Sequence, residues 1–291
     1  MFKISNRARE NIWGYLFILP SGVALSIFYL FSIGFSFYVS LYDWMIKRGS
    51  FIGIGNYMIA LTSPDFWNAV KNTVLFTFLT VGMQLILGLI TALLLNRSLR
   101  GKTLFRAVFF LPCIIPSVIL GIIWRWMYSP QYGLVNFFLQ LLGLNPLGWL
   151  RDPTWALPAL IFMSVWQWIG YHMIIYLAGL QGIPEQLYEA AKIDGATVWS
   201  CFRHITWPLL RPATMFLVIV SIINTFQIFD QVYVMTGGGP MGYTSVLVYY
   251  LWKEAFHFFK LGYASAVAWL VFLMIFAFTL FQLKFAKVAW W

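Results

Sequence analysis

Six stretches of this chain contain no Asp, Glu, Lys or Arg: 11–42, 72–96, 107–124, 153–184, 212–229 and 261–283. A helix crossing the hydrocarbon of a bilayer needs about 17–25 mostly apolar residues, and every stretch can supply them. The pattern predicts six spans, at about 12–41, 68–95, 104–127, 155–180, 209–233 and 262–283. Two further uncharged stretches read differently. The first, 126–150, is interrupted by Ser129-Pro130-Gln131-Tyr132-Gly133 and by Gly143-Leu144-Asn145-Pro146. What remains, Leu134 to Leu142, is too short to cross and predicts a helix at the membrane surface or tucked among the spans. The second, 231–252, is cut by Thr236-Gly237-Gly238-Gly239-Pro240 and is expected to be a loop.

Within the third span, Leu111-Pro112-Cys113-Ile114-Ile115-Pro116 carries two prolines, each of which removes a backbone donor. A kink or unwound turn is expected there, facing other helices so that the freed carbonyls find partners. Gly82, Gly88, Gly170 and Gly179 read as packing positions between spans. Trp124, Trp126, Tyr128, Trp149 and Trp155 gather near the outer ends of the third and fourth spans, where aromatic side chains at headgroup level account for them.

Charge gives the orientation. With the N-terminus inside, 12 of the 19 cations fall on cytoplasmic segments: Lys3, Arg7 and Arg9; Arg97, Arg100, Lys102 and Arg106; Lys192, Arg203 and Arg211; Lys284 and Lys287. Both ends are basic, so both termini are placed in the cytoplasm and the number of crossings is even. The first span is expected to be retained, because its uncharged block is long for a signal peptide and lacks an obvious cleavage site.

Composition agrees, since 61% of the 291 residues are hydrophobic and only 10% charged, against about 25% in soluble domains. The net charge of +10 is explained by topology, and no soluble basic domain exists to bind nucleic acid. The chain is therefore read as an all-α polytopic membrane protein, a single transmembrane domain over 1–291. Its two cysteines, Cys113 in the third span and Cys201 in a cytoplasmic loop, support neither a disulfide framework nor a metal cluster.

Polar residues within spans invite a functional reading, and here they are Gln84, Gln167, Tyr171, His172, Asn224, Gln227 and Asp230. For any single one of them an interhelical hydrogen bond is the reading that competes with substrate contact, and the commoner one. Asn224 and Gln227 lie three apart and share a helical face, with Gln231 one turn on. That stripe, with Gln167 and Tyr171, is the expected lining of a substrate path. No Lys or Arg sits at the middle of a span, which fits a neutral substrate.

The most informative stretch is cytoplasmic, Ile183-Pro184-Glu185-Gln186-Leu187-Tyr188-Glu189-Ala190-Ala191-Lys192-Ile193-Asp194-Gly195-Ala196-Thr197-Val198-Trp199. Pro184 suits a first helical turn, Glu185 follows where the helix dipole favours an acid, and Gly195 permits a sharp turn. A second short helix is expected from about Thr197 to His204, before Pro208 at the entry to the fifth span. Two short helices joined at a glycine between two spans can act as a rigid lever.

The spacing Glu189-Ala190-Ala191, three residues, Gly195, nine residues, Ile205, one residue, Trp207-Pro208 resembles the EAA signature of permease subunits of bacterial ABC importers. Trp207 stands where that family usually has Leu. Ile175-Tyr176-Leu177-Ala178-Gly179-Leu180-Gln181 and Phe229-Asp230-Gln231-Val232-Tyr233-Val234-Met235-Thr236-Gly237-Gly238-Gly239-Pro240 look like the carbohydrate branch. The resemblance implies the ABC importer permease fold with six transmembrane helices. It also implies a bacterial cytoplasmic (inner) membrane location, a second permease and two ATPase subunits as partners, and an extracytoplasmic solute-binding protein delivering a sugar. The coupling loop, about 183–207, would then dock on the ATPase through Glu185, Tyr188, Glu189, Ala190, Ala191, Asp194, Gly195, Ile205 and Pro208.

No cofactor is expected on this chain. It has no Gly-x-x-x-x-Gly-Lys-Ser/Thr run, so ATP and Mg would be held by the partner ATPase. No catalytic or metal site is expected either: His-Glu-x-x-His and Gly-x-Ser-x-Gly are missing, and His172, His204 and His257 fall in different places. Glycerol phosphate esters are the competing substrate class. An ion-coupled secondary transporter is the competing machine, for which the EAA-like loop would have no use.

Overall fold

A computed structural model describes residues 6–97 and 100–289. Helices α1 (Asn6–Leu25) and α2 (Ser32–Ser40) are joined through a π-helical turn at Ser26–Phe31 and followed by a hairpin, β1 (Tyr42–Trp44) and β2 (Arg48–Phe51). Then come α3 (Gly55–Thr62), α4 (Pro64–Leu95), α5 (Lys102–Ile114), α6 (Ser117–Met127), α7 (Leu134–Leu141) and α8 (Ala156–Gln181). The chain continues through α9 (Glu185–Ile193), α10 (Val198–Cys201), α11 (Trp207–Phe226), α12 (Asp230–Met235), α13 (Leu247–Trp252) and α14 (Leu261–Ala289).

Among the described residues, five helical stretches are long and apolar enough to cross a membrane: Glu10–Ser40, Pro64–Leu95, Ala156–Gln181, Val198–Phe226 and Leu261–Lys284. The pair α5 and α6, bent by 99° at the break between them, passes the same test together and counts as a sixth when taken as one broken span. Lys3, on which the inward N-terminus partly rests, and Ser98 and Leu99 after the second span lie outside the described residues.

The contacts divide the chain into two units, 1–62 with 251–270, and 63–250 with 271–291. In the first, the antiparallel hairpin sets Tyr42 opposite Phe51 and Trp44 opposite Arg48. The Arg48 guanidinium lies over the Tyr42 ring at 4.5 Å and donates to its hydroxyl. Buried Asn56 donates to the carbonyls of Ser40 and Tyr42, tying α3 to the end of the first span. Trp269 of α14 donates to Ser36 and meets Phe37 edge to face.

The second unit is organised around α8, which packs most extensively on α4 and also on α5 and α11. Small residues allow the approach: a methyl group at Gly88 would overlap His172, and one at Gly170 would overlap the Phe109 carbonyl. Gly82 differs from expectation, since nothing lies within 4 Å of the same position there. Ser63 caps α4 by accepting from the Phe66 amide, with Pro64 in the first turn, so this span begins four residues before the expected 68.

Three further features depart from the sequence reading. The fifth span does not run to 233; α11 stops at Phe226 and the backbone leaves the helix at 227–229, where Phe229 stacks on Tyr233 and Tyr249. The stretch 231–252, expected to be a loop, contains all of α12 but its first residue and the whole of α13, with the Gly237 to Pro240 turn between them. Trp124 and Tyr128 are buried core residues in an aromatic cluster with Trp149 and Trp166, and the Tyr128 hydroxyl donates to the Ala159 carbonyl. Trp126 is exposed, as a headgroup residue would be.

Candidate functional site

Both helix breaks meet at α8. Pro116 forces its predecessor Ile115 into an extended conformation (φ −77°, ψ 131°), which ends α5 and frees a carbonyl. That carbonyl accepts from Gln167 Nε2 at 3.4 Å, and the same nitrogen donates to Ser117 Oγ at 3.1 Å. Across the fold, Gln231 Nε2 donates to Gln167 Oε1 at 2.8 Å, while Ser164 Oγ donates to Gln231 Oε1 at 2.6 Å. Gln84 completes the set by donating to the Ser164 carbonyl at 3.1 Å. One amide on an unbroken helix thus holds the ends of two broken ones.

Beside this network lies a cavity of about 270 Å³ walled by α4, α8, α11 and the break before α12. Tyr171, Asn224, Gln227 and Gln231 all line it. The three amides do not form the helical stripe expected from their spacing. Gln227 caps the end of α11 and Gln231 sits on α12, so the backbone break, not helical periodicity, brings them together. Gln167 is displaced from its expected place on the wall: it is 1% exposed and turned into the network behind the cavity. His172 joins α8 to α11 through Ser221 Oγ at 2.8 Å.

The wall also contains Ser164, Ser221, Thr80, Trp168 and Phe229, which were not singled out from the sequence. A signal did exist on α4, where Thr73, Thr77, Thr80 and Gln84 recur every three or four residues and are all buried. Asp230 is exposed on the wall, which contains no Lys or Arg. Amides and hydroxyls that donate and accept, with aromatic rings beside them, can bind a polyhydroxylated neutral solute.

The residues expected to form a coupling loop lie apart from this cavity. Pro184 is the N-cap and Glu185 the first residue of α9. At its other end Gly195 has φ +75°, donating to the Lys192 carbonyl while Ala196 donates to the Ala191 carbonyl at 2.8 Å. This Schellman closure is why a residue without Cβ is required. Thr197 then caps α10 by accepting from the Ser200 amide. The second short helix is not separate: α10 runs through a π-helical turn at Phe202–Thr206 straight into α11, giving one helix from Val198 to Phe226 with Ile205 and Pro208 inside it. Tyr188 bonds Thr206 at 2.8 Å, fastening α9 to that helix. Glu185, Glu189, Ala190 and Asp194 are exposed, Ala191 is half-buried, and Ile193, Val198 and Trp199 add an exposed apolar edge.

A multi-span helical fold, broken spans around a polar cavity and a two-helix loop running into the fifth span define an importer permease. Residues 84–287 match the family described as binding-protein-dependent transport system inner membrane component, and the chain belongs to it. It is 37% identical over 284 residues to the trehalose/maltose transport system permease protein MalF of Thermococcus litoralis, covering 96% of this chain and 95% of that protein. To the lactose transport system permease protein LacF of Rhizobium radiobacter it is 39% identical over 283 residues, covering 95% of each. In fold it is similar to a chain of a bacterial ABC transporter involved in the import of the acidic polysaccharide alginate, with a TM-score of 0.85, 24% identity and 96% of each chain covered.

Proposed function

We propose that the whole chain acts as one permease domain that, with a second permease, forms the path for a neutral sugar or oligosaccharide delivered by an extracytoplasmic binding protein. The cavity carries this reading, because its wall supplies amide and hydroxyl partners at the point where two spans are broken. Relatives named for trehalose/maltose, lactose and arabinooligosaccharide transport support a sugar. Asn224, Gln227, Gln231 and Tyr171 would contact the solute, while Gln167 would hold the wall in place. The exposed face of α9, with Glu185, Glu189 and Asp194, would dock on one of two ATPase subunits. ATP and Mg would stay on those subunits.

Both termini would be cytoplasmic. Cysteine labelling in membranes should then find Gly49, Gly143 and Gly238 outside and Arg100 and Gly195 inside; Gly195 outside would end the coupling reading. The decisive experiment is purification with the co-encoded partners in lipid, followed by a screen of sugars for stimulation of ATP hydrolysis in the presence of the binding protein. Stimulation by glycerol phosphate esters and by no sugar would replace the substrate class.

A further inference from the structure

We propose that Asp230 is a charge filter, disposing the cavity to neutral or cationic contents and against anionic saccharides such as uronates. The inference rests on the reading that this cavity lies on the solute path. Asp230 begins α12 and is exposed on the cavity wall, at the break where the chain leaves α11. Around it the wall offers the amides of Asn224, Gln227 and Gln231 and no Lys or Arg. Among the described residues Asp230 has no ion-pair partner. The cation on the helix packed against α12 is Arg125 of α6, whose guanidinium turns to the Val234 carbonyl at 3.4 Å, one helical turn beyond Asp230 and off the wall. His172, also on the wall, has both ring nitrogens engaged, by the Trp168 carbonyl and by Ser221.

A carboxylate entering such a cavity would shed water without finding a counter-charge, and would meet a second carboxylate. A hydroxyl loses nothing comparable, because amides and hydroxyls replace its water bonds. The similarly folded alginate importer handles an acidic polysaccharide, so the fold alone does not dictate the sign.

The test uses the intact complex of permeases and ATPase subunits in nanodiscs, with Cys113 and Cys201 replaced by Ser and Gln227→Cys as reporter. Its modification rates by a cationic and an anionic methanethiosulfonate are each divided by the rate with a free small thiol. Two charges about 7 Å apart in a half-wet cavity change each rate by roughly five-fold in opposite directions, so the cation-to-anion ratio should exceed unity by roughly 25-fold. Asp230→Asn should bring the ratio close to one, Asp230→Glu should keep it, and raising the salt should compress it without any substitution. Equal ratios with Asp and Asn, or a salt-insensitive ratio, would overturn the filter. In a separate measurement, if labelled Gln227→Cys keeps the sugar-stimulated ATP hydrolysis of its unlabelled form, the path reading fails whatever the charge ratio. A filter that acts on the path further requires that Asp230→Asn raise stimulation by a uronate relative to its neutral parent sugar.

Discussion

Replacing Gln167 by Met keeps the length and volume of the side chain and removes all three hydrogen bonds that this side chain makes to the two breaks, leaving Ser164 as the remaining side-chain link from α8 to Gln231. The carbonyl of Ile115, the hydroxyl of Ser117 and the Nε2 group of Gln231 each lose a partner. Interhelical hydrogen bonds in membranes average about 0.6 kcal/mol, and a buried group left unpaired costs about 1–3 kcal/mol in soluble proteins. Three lost bonds therefore predict a loss of about 2–4 kcal/mol, at the upper end if the Ile115 carbonyl, whose helical partner is already missing at the proline, finds no water. The direct bond between the two glutamines is isolated by a double-mutant cycle of Gln167→Met and Gln231→Leu. The bond is short, at 2.8 Å, and both partners are buried, so a coupling of about 1 kcal/mol is expected. The assay is SDS-titrated unfolding of the purified chain in bicelles, followed by tryptophan fluorescence. Additivity within about 0.3 kcal/mol would show that the amides are stable apart, and that α8 does not pin the two breaks together.

Four other substitutions test three separate parts of the molecule. Glu189→Lys reverses an exposed charge on α9, and Gly195→Pro destroys a backbone conformation of φ +75°; each should reduce co-purification of the ATPase or uncouple hydrolysis from uptake, with membrane insertion unchanged. Asn224→Leu should lower solute uptake several-fold while the complex assembles normally, measured by uptake into proteoliposomes beside size-exclusion chromatography. Asn136→Ala removes a buried side chain that accepts from the Leu147 amide and the Trp149 indole and donates to the Leu147 carbonyl. It should cost about 2–4 kcal/mol locally and make the segment 129–148 the first site of limited proteolysis.

The spans were legible because charge is so costly in hydrocarbon that its exclusion marks each crossing, and the bend of the third was legible because Pro112 and Pro116 force it through covalent geometry. Gly195 was equally plain, since a left-handed residue closing a short helix leaves few alternatives to glycine. The break at 227–229 was not. It contains neither Gly nor Pro and is held by tertiary contacts, Phe229 on Tyr249 and Gln231 on Ser164 and Gln167. Asp230 was the one local hint, an acid where a new helix begins. Gln167 shows the same limit from the other side: an amide in a span is equally suited to a solute or to another helix, and only the position of Gln231 and Ile115 decides. Trp124 and Tyr128 were misplaced because an aromatic ring with a polar edge suits both headgroup and core.

The helix from Val198 to Phe226 is unbroken over 29 residues, which at about 1.5 Å per residue makes a rod roughly 42 Å long. Its first turns are fastened to α9 by Tyr188 and Thr206, and its last residue stands immediately before the non-helical stretch at 227–229. Rotating such a rod by about 10° around its α9 end carries Phe226 through an arc of about 7 Å. A modest angular change at one surface would therefore arrive as a large translation at the other, where three non-helical residues can absorb it. Gln227 rides at the tip of the rod and Gln231 is anchored to α8, so the two amides would be drawn apart or together by each stroke. The solute would then be released by a change in the spacing of its partners, with no change in their chemistry.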